Sequence, residues 1–147
     1  MRRLAVVVAL MGVVSCGGSG SPTGPSSKIP NVAGSYSGTA TFGFPELQQT
    51  FTCPASTVVT QSGATVSLAP LVLNGQCQGM SIPVGQVTID NTGAIQSENG
   101  SYTDSSCGGV YDYSASGGFF GRECRFSINA TSRTCYNINV TAVLNKS

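Results

Sequence analysis

Tyr136-Asn137-Ile138-Asn139-Val140-Thr141-Ala142-Val143-Leu144 alternates with a period of two. Tyr136, Ile138, Val140, Ala142 and Leu144 form one apolar row, and the intervening positions are mostly Asn and Thr. Side chains in a strand point alternately to opposite faces, so this stretch reads as a strand with one face in a core. Before it, Phe120, Cys124, Phe126 and Ile128 share a phase, with Arg122 as the exception in that row. Tyr111, Tyr113 and Ala115 alternate as well, and Asn99-Gly100 and Cys107-Gly108-Gly109 bracket a short strand through Tyr102.

Hairpin chemistry continues toward the N-terminus. Val87-Thr88-Ile89 and Ala94-Ile95 flank Asp90-Asn91-Thr92-Gly93, which is a turn sequence. Asp90 and Asn91 lack the alternating oxygen ligands of a calcium loop, so they are read as turn formers. Residues 76–84 form a weaker strand, broken by Pro83. Residues 51–60 and 65–73 are strands around Gln61-Ser62-Gly63-Ala64, and Pro70 shifts the inward phase from Val66 and Leu68 to Leu71 and Leu73, the mark of an edge or a bulge. In residues 32–44, Tyr36, Ala40, Phe42 and Phe44 share a phase with Gly34 and Gly38. No amphipathic helix pattern exceeds two turns. The chain is therefore predicted to be all-β: an antiparallel up-and-down meander of about eight strands closing into a small barrel, with a β-sandwich as the alternative.

Composition supports a pleated domain. Charged residues are 9% of the chain, glycines number 19, and there is neither His nor Trp. Without His, no Ser-His-Asp or Cys-His arrangement and no imidazole metal site can form. Glu98, Asp104 and Asp112 are the carboxylates weighed as an acid–base pair for glycoside cleavage, and they read instead as solvated side chains. Cys124, beside Arg122 and Arg125, reads as a buried inert thiol because its phase is inward. The sequence thus predicts no enzyme, no cofactor and no metal. A near-neutral domain with scattered charges also lacks an electrostatic footprint for nucleic acid.

The first 30 residues belong to another kind of sequence. Arg2 and Arg3 precede an uncharged apolar stretch, residues 4–14, too short to span a bilayer, which takes about 20 residues. It ends in Val13-Val14-Ser15-Cys16, which resembles the lipobox of bacterial lipoproteins. That resemblance implies a signal peptide over 1–15 and Cys16 as the lipidated first residue of the mature chain. Gly17 in place of Asp implies the outer membrane by the enteric sorting rule. Residues 17–30, GGSGSPTGPSSKIP, are too polar and too rich in Gly, Ser and Pro to bury a core, so 16–30 is predicted to be a lipid-anchored flexible tether. Residues 31–147 form the β domain. Losing Arg2 and Arg3 takes the formal charge from +1 to −1.

Export places the five remaining cysteines where disulfides persist. Sequence alone leaves their pairing open. If Phe126 and Tyr136 both face inward, Cys124 does too, while Cys135 faces outward, so a Cys124–Cys135 bridge is disfavoured. Cys107 lies in a Gly-rich loop that can reach Cys135. The expected bridges are Cys53–Cys77 and Cys107–Cys135, with Cys124 free.

Two short motifs carry a further resemblance. Gly34-Ser35-Tyr36-Ser37-Gly38 and Val59-Thr60-Gln61-Ser62-Gly63 are similar to the opening strand and first hairpin of small bacterial lipoproteins and exported proteins of unknown function. The opening also resembles the first strand of the lipocalins and avidins, where the aromatic residue is usually Trp rather than Tyr36. This resemblance implies a calycin-like β domain. The meander pattern with aromatics at Tyr36, Phe42, Tyr111, Tyr113 and Phe120 points to a binding module for a small apolar or amphipathic ligand, with those side chains as its candidate lining; the plainer reading is that they fill the core. The alternative is a structural or protein-interaction role at the cell envelope.

Overall fold

The computed structural model describes residues 28–78, 80, 85–104 and 107–147. The leader, Cys16 and most of the tether lie outside the described residues. The domain is nearly all β. Its strands are β1 (Gly34–Phe44), β2 (Gln49–Ser62), β3 (Thr65–Leu68), β4 (Val72–Leu73), β5 (Gln86–Thr88), β6 (Ala94–Asp104), β7 (Gly109–Phe120), β8 (Glu123–Ser132) and β9 (Ile138–Lys146).

Around the sheet the order is β5-β3-β2-β1-β9-β8-β7-β6, with β4 paired to β2. Every pairing is antiparallel. The β9–β1 pairing, with Val140 opposite Phe42 and Ala142 opposite Ala40, joins the two ends of the chain's path. Only β5 and β6 fail to seal: they meet through the single bridge Ile89–Ile95. The predicted meander is thus a nearly closed eight-stranded barrel with one seam, and the sandwich alternative falls.

Two local devices shape it. Between β3 and β4 one extra residue enters against β2: Val59 faces Leu68, whereas Ser56 faces Val72. Pro70, which has no N–H for a ladder, sits in this bulge. The Thr57 hydroxyl donates to the Ala69 carbonyl at 2.7 Å across it. As the phase shift at Pro70 predicts, Val66 and Leu68 are buried before the bulge and Leu71 and Leu73 after it. The second device is a register shift in β6 between Ile95 and Glu98.

Closure needs strands in very close approach. A Cβ on Gly38 would lie 2.1 Å from the Val143 carbonyl oxygen, so β1 can cross β9 there only without a side chain. The interior alternates small and large residues: Ala40, Cys53 and Ala142 beside Phe126, and Gly38 and Ala55 beside Leu144 and Phe119. Tyr36 and Phe119 meet edge to face, ring centres 5.8 Å apart, and the Tyr36 hydroxyl donates to the Val32 carbonyl at 2.8 Å. With Val59, Val66, Ile89, Cys124 and Leu144 they plug one end of the barrel.

The bridges are Cys53–Cys77 and Cys107–Cys135, and Cys124 is a buried free thiol. Cys77 reaches Cys53 from a single 3-10 turn, Gly75–Cys77, which corrects the expected strand over 76–84 where the structure describes it. The first bridge is wholly buried, whereas Cys107 is exposed and Cys135 half-buried. Exchange requires a thiolate to reach the sulfur. Mild reductant is therefore expected to open Cys107–Cys135 first, and mass spectrometry after alkylation reads the order. Opening of Cys53–Cys77 first would show that the middle of the barrel breathes more than the loops that carry Cys107 and Cys135.

Two phase readings are corrected. Phe120 does not face inward; it is 52% exposed, and Phe119 takes the inward place. The two-residue turn Gly121-Arg122 pairs Phe119 with Cys124 and Phe120 with Glu123, so parity flips across it. Tyr136, read as the first inward residue of the last strand, precedes β9 and is 55% exposed.

Candidate functional site

Directly paired residues in a sheet share a face. Following the register gives a row on the inner wall: Phe51, Phe42, Val140, Ile128, Ala115, Glu98, running from β2 to β6. The next row toward the loops contains Ile138, Ala130, Tyr113 and Gly100, and Tyr111 and Tyr102 lie beyond it. Phe42 and Val140 are buried core residues, but Phe51, Ile128, Ala115, Glu98, Tyr113 and Ile138 are only half-buried. Phe44, at the end of β1, is half-buried too and meets Phe51 edge to face at 6.0 Å. One end of the barrel is thus plugged, and the other is a cup whose wall ends at the seam. Beyond Ile95, no strand among the described residues pairs with the free edge of β6.

Glu98 faces into this cup, and burial raises its pKa. Tyr113 is raised by burial and then by the neighbouring Glu98 carboxylate. Its ring lies over Gly100, where a Cβ would be 2.7 Å from the phenol oxygen. Tyr102 stacks on Tyr111 at 5.0 Å and meets Tyr113 at 6.2 Å. The Tyr111 hydroxyl donates to the Tyr136 carbonyl at 2.8 Å, which ties this aromatic stack to the loop after β8. Burial, with lesser help from Tyr111 and Asp104, pushes Tyr102 up to about 12.

The candidate lining residues therefore separate. Tyr36 and Phe42 are packed in the core, Tyr111 is buried in the tyrosine stack, and Phe120 stands outside the barrel. Tyr113 lines the cup. Sequence reading missed Phe44, Phe51, Ala115, Ile128 and Ile138 as lining and read Glu98 and Asp104 as solvated, whereas Glu98 is half-buried and Asp104 is buried. The signal for Ile128 and Ile138 was their inward phase; that for Glu98 was hidden by the register shift before it. The carboxylates do not converge. Glu98 and Asp104 share a face of β6 but are six residues, about 20 Å, apart along it. Asp112 alternates with the inward Tyr111 and Tyr113 and so lies on the outer face.

Charge divides between the ends. Lys28, Arg122, Arg125 and Lys146 gather at the plugged end with Asp90 and Glu123, whereas Glu46, Glu98, Asp104 and Asp112 lie toward the cup end with Arg133. Asp90 caps its own turn, its Oδ1 accepting from the Thr92 N–H at 2.8 Å, the Thr92 hydroxyl at 2.6 Å and the Ala94 N–H at 3.0 Å. These bonds, the Thr92 hydroxyl foremost, lower its pKa. No group of three or more metal-ligating side chains occurs among the described residues. On the outer wall, Val110, Asp112, Thr131, Arg133 and Asn137 line an open groove next to the Cys107–Cys135 bridge.

No protein-family model and no curated sequence matches the chain. Among solved structures it is similar to Rv2717c from M. tuberculosis, with 11% identity and a TM-score of 0.50, over 79% of this chain and 92% of that one. It is the fold that is shared. A second similar structure is BF2706 from Bacteroides fragilis NCTC 9343, described as a "putative outer membrane protein", with 19% identity and a TM-score of 0.47 over 79% of this chain and 51% of that one. The nearly closed barrel fits the calycin-like expectation. An eight-stranded barrel either fills with its own side chains or holds one small ligand, and this one fills one end and leaves the other concave.

Proposed function

We propose that the protein is a lipid-anchored bacterial envelope protein whose barrel is a non-enzymatic binding module for a small apolar or amphipathic ligand. The observation that carries the binding reading is the contrast between the ends: inward-facing Phe44, Phe51, Tyr113, Ile128 and Ile138 stay half-buried, whereas Tyr36, Val59, Val66, Ile89, Phe119 and Leu144 are fully packed at the plugged end, where Val87 and Ile95 beside the seam are half-buried. A concave apolar wall with a few polar groups is the usual form of a small-molecule site. The anchor rests on Val13-Val14-Ser15-Cys16, and the tether on the Gly/Ser/Pro composition that follows. Two or more acyl chains on Cys16 make membrane attachment stable.

A protein-interaction role would use the free edge of β6 as its contact. That strand carries a register shift and an inward-pointing Glu98, two devices that discourage edge pairing. The ligand-binding reading is therefore preferred.

Native mass spectrometry of the full chain released from its own host's membranes tests both parts at once. The expected spectrum shows acyl mass on Cys16 and a further small molecule that leaves on activation. An unacylated chain would refute the anchor, and an acylated chain with no companion molecule and no melting shift across a panel of lipids and amphiphiles would refute the binding module.

A further inference from the structure

The inner face at the cup end carries two carboxylates, half-buried Glu98 and, six residues further along β6, buried Asp104, and, among the described residues, no cation. Glu98 sits on the same inner row as Ala115 and Ile128, with Tyr113 close enough to feel its charge. The cations stand elsewhere: Arg122, Arg125 and Lys146 at the plugged end, Lys28 where the described chain begins, and Arg133 exposed on the loop after β8. Among the described residues the one ion pair joins Arg125 to Glu123, far from the cup. A half-buried carboxylate beside Ala115 and the Tyr113 phenol gains from a counter-charge, so this wall favours whatever brings one. Tyr113 adds the electron-rich face of a phenol ring, which attracts ammonium groups.

We infer that the ligand is an amphipathic cation: an amine or quaternary ammonium head at Glu98 and Tyr113, with an apolar tail against Phe44, Phe51, Ile128 and Ile138. This deepens the binding-module reading and rests on it.

Three probes with one tail separate the possibilities: hexyltrimethylammonium, hexanol and hexanoate. They are titrated into the full chain held in nanodiscs of zwitterionic lipid, which gathers neither ion. Calorimetry reads the heat, and tyrosine emission gives a second signal because the chain has no Trp. The cation is expected to bind at least about tenfold more tightly than hexanol, with hexanoate weakest. Glu98→Gln is expected to bring the cation down to the affinity of hexanol and to leave hexanol unchanged. Its melting temperature, compared with that of the parent, shows that the fold survives. Equal binding of all three probes, or a Glu98→Gln chain that keeps the cation preference, overturns the inference while the binding module stands. No binding by any of the three overturns both.

Discussion

Gly117→Ala is expected to destabilise the barrel by about 3 kcal/mol or more, enough to lower the melting temperature by roughly 10 °C. A Cβ at this position would lie 2.1 Å from the Arg125 carbonyl oxygen and 2.7 Å from the Phe126 Cα. Both obstacles are backbone of the paired strand, so no side chain can rotate aside. The Gly117 φ of +152° is also one that L side chains rarely adopt. The substitution must therefore push β7 off β8 or straighten β7, and straightening it would displace Phe119, two residues on, from its contact with Tyr36. Gly63→Ala is the control. Gly63 has a φ of +62° but nothing within 4 Å of the added carbon, so it pays only the backbone term, about 1 kcal/mol. Urea unfolding of the two variants separates steric from conformational cost. Equal losses would show that β7 and β8 are not as closely apposed as described.

Raising the pH above about 9 is expected to unfold the domain progressively, with Cys124 first among the groups responsible. Burial pushes its thiol up to about 12. An unfolded thiol ionises near 8.5. Between those values the unfolded chain gives up a proton that the folded chain keeps, so stability is whole below pH 8.5 and falls as pH rises toward 12. At the top of that window the loss is on the order of 4 kcal/mol. The tyrosines add to it at higher pH, since Tyr36, Tyr102, Tyr111 and Tyr113 are all raised, chiefly by burial. Urea midpoints from pH 8 to 11 measure the slope. Cys124→Ala should flatten it between pH 9 and 10 and leave the steeper tyrosine region above. An unchanged slope in that variant would move the cause away from the thiol.

Much of the barrel is written in strict alternation. Ile138, Val140, Ala142 and Leu144 are the inner row of β9, and the Pro70 bulge is visible as a change of phase. An inward Cys124 leaves Cys135 to the Gly-rich loop around Cys107, but alternation does not choose Cys53–Cys77, and the inward Tyr136 used in that reading is exposed. What stayed hidden depends on how strands connect. A two-residue turn reverses parity, so Phe120 and Cys124 look alike in sequence while only Phe119 and Cys124 share the interior. The register shift before Glu98 erases the alternation that would have marked it as inward. The cup itself could not be read at all, since a period of two tells which face a residue takes and not whether the opposite wall is present.

The place of β1 in the sheet has a mechanical consequence. It is registered along its whole length with β2 and along most of it with β9, and the described chain enters it from the plugged end. A pull delivered through that entry, with the cup end held, runs parallel to β1. The hydrogen bonds on both flanks are then loaded together in shear, rather than peeled one after another, and a barrel held in this way yields only when both ladders fail at once.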